Sequence, residues 1–216
     1  MGNDKQWLVS HALIEGWSEA LEKKDPGTWT HCTQVAAFAT ILAQALKLDE
    51  DEVRAIAYGA LLHEIGKIEI PEAILRKPAA LTAGERLIMR EYCVYGYDIV
   101  RKEPSLQDAA EIVRSHRERF DGTGYPQGLK GEAIPLGARI VAVVETFEML
   151  IRDRHHRGAR AFAAAGEEIQ HWSGRMFDPR TVDAHLSVPD EDWTSVPLPI
   201  AAIPDKACDA LSIADL

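Results

Sequence analysis

The 216-residue chain is long enough for one sizeable domain, and its 46% hydrophobic content suffices for a buried core. A formal net charge of −10 disfavours a broad basic face for nucleic acid, although a few cations in a pocket can still hold a small phosphorylated ligand. Three cysteines with no Cys-x-x-Cys pair suit a reducing compartment. Without a signal-peptide pattern or an apolar run of about 18 residues, we expect a cytoplasmic protein that binds neither nucleic acid nor membrane.

Apolar residues recur at helical spacing along most of the chain, and no segment shows the alternation of a strand, which predicts an all-α helical bundle. Asp49 with Glu52, and Thr82 with Glu85, form capping-box patterns that mark two helix starts. The predicted helices cover, in chain order, residues 5–22, 31–47, 50–64, 82–102, 106–117, 136–152, 161–172 and 179–186.

Two segments are predicted to be irregular. The glycine-rich loop, residues 119–135, contains four glycines and two prolines and is not expected to form regular structure. Prolines also interrupt the chain after Val188, which divides it into a helical domain, 1–188, and an irregular C-terminal extension, 189–216. The apolar content of the first helix and of this extension suggests the hypothesis of a homodimer.

Histidines and one carboxylate are the candidate chemical groups. His31, His63 and His116 fall at helix ends or near loops of three helices, and Glu145 lies inside the apolar stretch RIVAVVETFEML. A carboxylate in so apolar a helix needs a charged or metal partner if it faces the core. Histidines and carboxylates from separate helices can hold Mn, Fe or Zn. Taken singly, each histidine is more often a hydrogen-bonded core residue.

The stretches LLHEIGKIEIPEAILRKPAALT and HRERFDGTGYPQGLKGEAIPLGARIVAVVETFEML resemble the HD-GYP family over nearly all of residues 6–188. The GYP signature itself is present as Gly124, Tyr125 and Pro126, so the glycine-rich loop is similar to the GYP loop of that family. The resemblance implies a helical bundle of the HD superfamily whose core holds two or three metal ions. It also implies hydrolysis of the bacterial second messenger cyclic di-GMP to pGpG or GMP.

The ligand set that this resemblance implies is altered. The implied metal ligands are His31, His63, Glu64, His116 and Glu145, where both glutamates replace aspartates. Tyr92 and Arg117 stand where the family has histidines, and Gly27 stands where some members have a glutamate for a third metal. One site, from His31, His63, Glu64 and Glu145, is expected to hold one ion of Fe, Mn or Zn per chain.

Glu64 and Lys67 are the predicted catalytic residues. The predicted substrate-binding residues are Lys67, Arg117, Tyr125, Arg154 and Arg157. Arg117 has two interpretations: it clamps a phosphate in place of a missing metal ion, or it pairs with Glu64 or Glu118 and fills a retired site. Without the resemblance, these cations would be read as ordinary solvated charges and Tyr125 as a turn residue.

Three functions remain open at this point. The first is a metal-dependent cyclic di-GMP phosphodiesterase with an altered centre. The second is a degenerate domain that binds a nucleotide, or a partner protein through the glycine-rich loop, without turnover. The third, a hydrolase of another phosphoester, has less support because the GYP signature is complete.

Overall fold

The computed structural model describes residues 2–152 and 160–195, with side chains for 13–152 and 162–195. This part of the chain is helical and contains no strand, which confirms the all-α prediction. The helices are α1 (Gly2–Lys24), α2 (Thr28–Ala45), α3 (Glu50–Leu62), α4 (Glu72–Leu75), α5 (Ala83–Arg90), α6 (Tyr92–Val100), α7 (Gln107–Ser115), α8 (Leu136–Arg152), α9 (Arg160–His171), α10 (Pro179–Ser187) and α11 (Asp190–Thr194). Short 3-10 turns cover Ile65–Glu69, Pro104–Leu106 and Gly131–Ala133.

The two predicted capping boxes start α3 and α5. The Asp49 side chain accepts from the backbone N–H groups of Asp51 and Glu52, and the Glu52 carboxylate accepts from the Asp49 N–H. Thr82 and Glu85 make the same reciprocal pair. Each cap satisfies N–H groups that a helix leaves without partners and is worth about 1 kcal/mol.

The single helix predicted over 82–102 is divided into α5 and α6. The division falls at Glu91, directly before the first turn of α6, which lies against the 3-10 turn after α3. A Cβ at Gly66 would meet the Tyr92 carbonyl oxygen at 1.9 Å and the Gly96 nitrogen at 2.5 Å. No residue of α5 is fully buried, and Met89 at its end packs against the small cluster that contains Tyr92 and Cys93. The sequence showed the apolar spacing of both helices but not this contact between backbones.

The main core lies where α2, α3 and α8 pack together, and it extends to α11. Phe38 of α2 and Phe147 of α8 are fully buried, and their ring centroids lie 5.5 Å apart. Trp193 of α11 is 3% exposed and lies 5.4 Å from the Phe38 ring and 5.1 Å from the Phe147 ring. The extension predicted to be irregular from residue 189 therefore begins with a helix that is part of this core, and residues 196–216 lie outside the described part.

This arrangement brings four chain segments together at one end of the α2–α3–α8 contact. The first turn of α2 carries His31, the C-terminal end of α3 leads into His63 and Glu64, His116 caps α7, and α8 carries Glu145. None of the described helices is both long and apolar enough to cross a bilayer.

Candidate metal centre

Four of the predicted ligands meet in one buried group, which we call the four-ligand cluster: His31, His63, Glu64 and Glu145. Each offers one ligand atom, and these atoms all lie within 4.8 Å of one another. Three sequence-distant segments supply them, so the cluster exists only because α2, α3 and α8 pack together. Two imidazoles and two carboxylates form a donor set that suits a divalent transition metal.

His63 is oriented so that one ring nitrogen is left for a ligand. The Nδ1–H group donates to the carbonyl oxygen of Ala60 at 2.6 Å. The other nitrogen, Nε2, is buried and has no partner within hydrogen-bond distance among the described residues; Glu145 Oε1 lies 3.7 Å away. Burial lowers the pKa of His63, but Cys32 and Glu145 outweigh it and raise the pKa above its ordinary value, so a metal ion would replace a proton at Nε2. A buried polar atom without a partner costs free energy, which a bound metal ion would recover. The orientation of His63 therefore fits a metal ion.

His31 is held by a carboxylate that the sequence reasoning did not identify. His31 Nδ1 lies 2.9 Å from Glu148 Oε2 and 2.5 Å from Arg152 Nη2. In the tautomer with the proton on Nδ1, the ring donates to Glu148 and leaves Nε2 for a ligand. Arg152 in turn donates to Glu148 Oε1 at 2.8 Å. Burial raises the pKa of Glu148, but His31 and Arg152 outweigh it, so the pKa lies below its ordinary value. A carboxylate behind a metal-binding histidine fixes the tautomer and orientation of the ring.

Glu148 lies three residues after Glu145 on α8, so both side chains fall on the same face of the helix. This spacing from Glu145 in an apolar helix was the feature of the sequence that could have identified Glu148 as a residue of the site.

Glu64 is paired with Lys67 in an ion pair that includes Asp25. Lys67 Nζ lies 2.7 Å from Glu64 Oε1 and 3.1 Å from Asp25 Oδ2. Burial alone would raise the pKa of Glu64, but Lys67 and the two histidines of the cluster lower it to about 2. Glu64 is therefore charged at neutral pH, as a metal ligand must be. Asp25 was not predicted, because it precedes α2 in a turn that carries no motif.

Arg117 pairs with neither of the carboxylates predicted for it. Its Nη2 lies 2.5 Å from Glu145 Oε1, and its Nε donates to the Tyr92 hydroxyl at 2.7 Å. Burial raises the pKa of Glu145, but Arg117 and His63 together hold it well below the ordinary value. Glu118 instead accepts from the backbone N–H groups of Gln127 and Leu129, and so it shapes the glycine-rich loop.

His116, also predicted as a ligand, is placed differently from the four-ligand cluster. Its Nδ1–H group donates to the Val113 carbonyl oxygen at 2.8 Å, and its Nε2 accepts from the Tyr92 hydroxyl at 2.8 Å. Burial and the nearby charges of His63 and Arg117 lower the pKa of His116 to about 3, so the ring is neutral. Both ring nitrogens are thus in use, because a tyrosine stands where the resemblance implied another histidine.

The remaining predicted residues lie around the glycine-rich loop or beyond the described structure. Tyr125 is half-buried, its backbone N–H donates to the Arg117 carbonyl oxygen at 3.1 Å, and Arg90 lies 4.8 Å above its ring. A Cβ at Gly124 would meet the Arg119 nitrogen at 2.2 Å, so glycine is required for the loop to fold back on residues 117–119. Arg154 and Arg157 lie outside the described residues.

The helical bundle brings two imidazoles and two carboxylates together in its interior. The chain is therefore a helical protein with a site suited to a divalent metal. The model of the HD domain family matches residues 16–181, so the chain belongs to this family. The HD-GYP resemblance is confirmed by relatives that are named as phosphodiesterases of cyclic dinucleotides.

One relative is the "Cyclic di-GMP phosphodiesterase response regulator RpfG" of Xanthomonas campestris pv. campestris, 42% identical over 171 residues, which are 78% of this chain and 45% of that protein. Another is the "3'3'-cGAMP-specific phosphodiesterase 2" of Vibrio cholerae, 34% identical over 199 residues, which are 91% and 37% of the two chains. The chain thus spans less than half the length of these relatives.

Among solved structures, a cyclic GMP-AMP specific phosphodiesterase of Vibrio cholerae, V-cGAP3, shares the fold with a TM-score of 0.60 at 22% identity. That match covers 87% of this chain and 53% of the other.

Proposed function

We propose that this chain is a metal-dependent phosphodiesterase that acts on cyclic di-GMP or a related cyclic dinucleotide. The observation that carries the proposal is the four-ligand cluster, in which the buried Nε2 of His63 has no hydrogen-bond partner among the described residues. The substrate class is supported by the relatives named as phosphodiesterases of cyclic di-GMP and of 3'3'-cGAMP.

The proposed cofactor is one ion of Fe, Mn or Zn, held by His31, His63, Glu64 and Glu145. Such an ion polarises a phosphoryl oxygen and lowers the pKa of water at the site. The chain prepares the site in two ways: Glu64 and Glu145 are kept charged, and the Nδ1 bonds of both histidines orient their Nε2 atoms. His116 would hold Tyr92 rather than bind this ion.

The proposed catalytic residues are Glu64 as a charged ligand and Lys67 as a fixed cation next to it. Lys67 has three N–H donors, of which Glu64 and Asp25 occupy two, so one remains for a phosphate oxygen. Burial lowers the pKa of Lys67, but the two carboxylates outweigh it and raise the pKa above its ordinary value, so Lys67 stabilises charge and does not act as a base. Arg117, Tyr125, Arg154 and Arg157 are the further substrate contacts that we propose.

A second candidate is a domain that binds a nucleotide without turnover. It is favoured by the ion pairs of Glu145 with Arg117 and of Glu64 with Lys67, since these pairs already neutralise two of the four ligands without a metal. A protein partner that binds the glycine-rich loop, and a homodimer, belong to this proposal as well, and light scattering over a range of protein concentrations tests the dimer.

Metal analysis and product chromatography on the same preparation separate the two candidates. Protein purified without oxygen and incubated with cyclic di-GMP and 3'3'-cGAMP should contain bound transition metal and release linear dinucleotides or mononucleotides. His63→Gln should lose both metal and product, whereas Glu168→Gln on the remote helix α9 should keep both. Nucleotide binding without metal and without product would instead support the second candidate.

A further inference from the structure

We propose that Arg117 is a built-in cation that excludes a second metal ion, and that Tyr92 and His116 hold it in this position. The inference rests on the proposed function, because it takes the four-ligand cluster as the site of the first ion. It goes further because it names Tyr92 and Arg117 as the residues that limit the centre to one ion, and both can be replaced by mutation.

Arg117 contacts Glu145, the same carboxylate that we propose as a ligand of the metal ion. Glu145 Oε1 lies 2.5 Å from Arg117 Nη2 on one side and 3.7 Å from the unpartnered His63 Nε2 on the other. The same Glu145 oxygen therefore faces both His63 of the cluster and the guanidinium group of Arg117. The side chain of Arg117 is only 14% exposed, so its charge is weakly screened by water.

A chain of three hydrogen bonds fixes the guanidinium, and each group in it has one available role. Val113 accepts the Nδ1 proton of His116, so Nε2 of that ring must be an acceptor. The Tyr92 hydroxyl gives its single proton to this nitrogen, and its oxygen then accepts from Arg117 Nε. Because a guanidinium is only a donor and stays charged, the order of donors and acceptors cannot be reversed.

This arrangement is incompatible with a second ion on the other side of Glu145. An ion that used His116 Nε2 would have to displace the Tyr92 hydroxyl, which occupies that nitrogen. It would also stand next to a permanent positive charge in a buried place, where repulsion is strong. In the described part of the chain no hydrogen bond uses Nη1 of Arg117, so this edge of the guanidinium remains available for a phosphate oxygen.

The test exchanges the two residues and counts ions. In the variant Tyr92→His/Arg117→His, two imidazoles join His116 and Glu145, which gives three nitrogens and a carboxylate, a set that transition metals bind. Equilibrium dialysis against Mn²⁺ followed by elemental analysis should give one ion per chain for the wild type and two for this variant. The matched control, Tyr92→Phe/Arg117→Met, removes the same groups without adding an oxygen or nitrogen ligand and should stay at one ion, because His116 and Glu145 alone are too few ligands.

A second measurement and a replacement variant keep the test decisive. Electron paramagnetic resonance should show magnetic coupling between two Mn²⁺ ions in the histidine variant alone. If circular dichroism shows that this variant does not fold, Arg117→Gln replaces it. Loss of the guanidinium should tighten the first ion by about tenfold, because the guanidinium no longer competes with the ion for Glu145 Oε1.

The possible outcomes are distinct. Two ions in the wild type would overturn the inference, and so would a folded histidine variant that still binds one. An unchanged Mn²⁺ affinity of folded Arg117→Gln would overturn it as well. A wild type that binds no ion would overturn the proposed metal centre, and this inference with it.

Discussion

Replacement of Glu148 by glutamine should weaken metal binding without unfolding the protein. Glu148 touches none of the proposed ligand atoms of the cluster, but its Oε2 lies 2.9 Å from His31 Nδ1, which Arg152 Nη2 also contacts at 2.5 Å. The side chains of His31 and Glu148 are 9% and 5% exposed, so the contact is shielded from water. Glutamine keeps an oxygen acceptor but loses the negative charge, and it has N–H groups that oppose Arg152.

The magnitude follows from the burial of this contact. A hydrogen bond to a charged group contributes about 1.5–3 kcal/mol, and loss of a carboxylate behind a metal-binding histidine weakens binding by about 10–100-fold. We therefore expect the Kd for Mn²⁺ or Zn²⁺ to rise by about 10–100-fold, which corresponds to roughly 1.4–2.8 kcal/mol.

Competition titration against a chromogenic chelator measures this Kd in the wild type and the variant. Glu168→Gln is the matched control, because Glu168 also bonds a side chain, Trp172 Nε1 at 3.1 Å, but lies on α9. Thermal unfolding without metal reports whether the variant remains folded. A folded Glu148→Gln protein whose Kd stays within twofold of the wild type would refute the role assigned to Glu148.

Three other predictions concern stability. Gly124→Ala should lower the free energy of unfolding in urea by about 1–3 kcal/mol, because the added Cβ would lie 2.2 Å from the Arg119 nitrogen. The control is Gly84→Ala in α5, where the added Cβ meets no atom within 4 Å and the change should be neutral or stabilising. Trp193→Ala should cost about 3–5 kcal/mol in the same assay if α11 belongs to the core, and a change below 1 kcal/mol would contradict that packing. Burial lowers the pKa of His185 to about 4, so the contribution of His185 is complete above its unfolded pKa of 6.5 and is lost as the pH falls towards 4. His185→Phe should therefore show a smaller drop in Tm between pH 7 and 5 than the wild type, and an equal drop would contradict this.

The helices were predictable because their apolar spacing and caps are local features. The bounds of α8 matched the prediction at both ends, and both capping boxes formed as the residues at N-cap and N3 indicated. The division between α5 and α6 was not predictable, since it depends on the contact of Gly66 with a backbone 26 residues further along the chain. The packing of Trp193 was also missed: the prolines around α11 suggested irregular structure, and its contacts with Phe38 and Phe147 are distant in sequence.

For the site, the ligand types were predictable but their pairing was not. The resemblance identified four residues that the fold does bring together, and Glu145 drew attention as a carboxylate in an apolar helix. The partner of Arg117 was wrongly predicted as Glu64 or Glu118, because Glu145 was assigned only to the metal ion. In the folded chain, the Glu118 carboxylate is occupied by backbone N–H groups of the glycine-rich loop, and Arg117 faces Glu145.

The most direct test of the four-ligand cluster is a crystal structure of the protein grown with Mn²⁺, with an anomalous difference map. We predict one peak per chain, in contact with Nε2 of His31 and of His63 and with carboxylate oxygens of Glu64 and Glu145, while Arg117 still contacts Glu145. A map with no peak among these four side chains, at a Mn²⁺ concentration that supports turnover, would contradict the proposed metal centre.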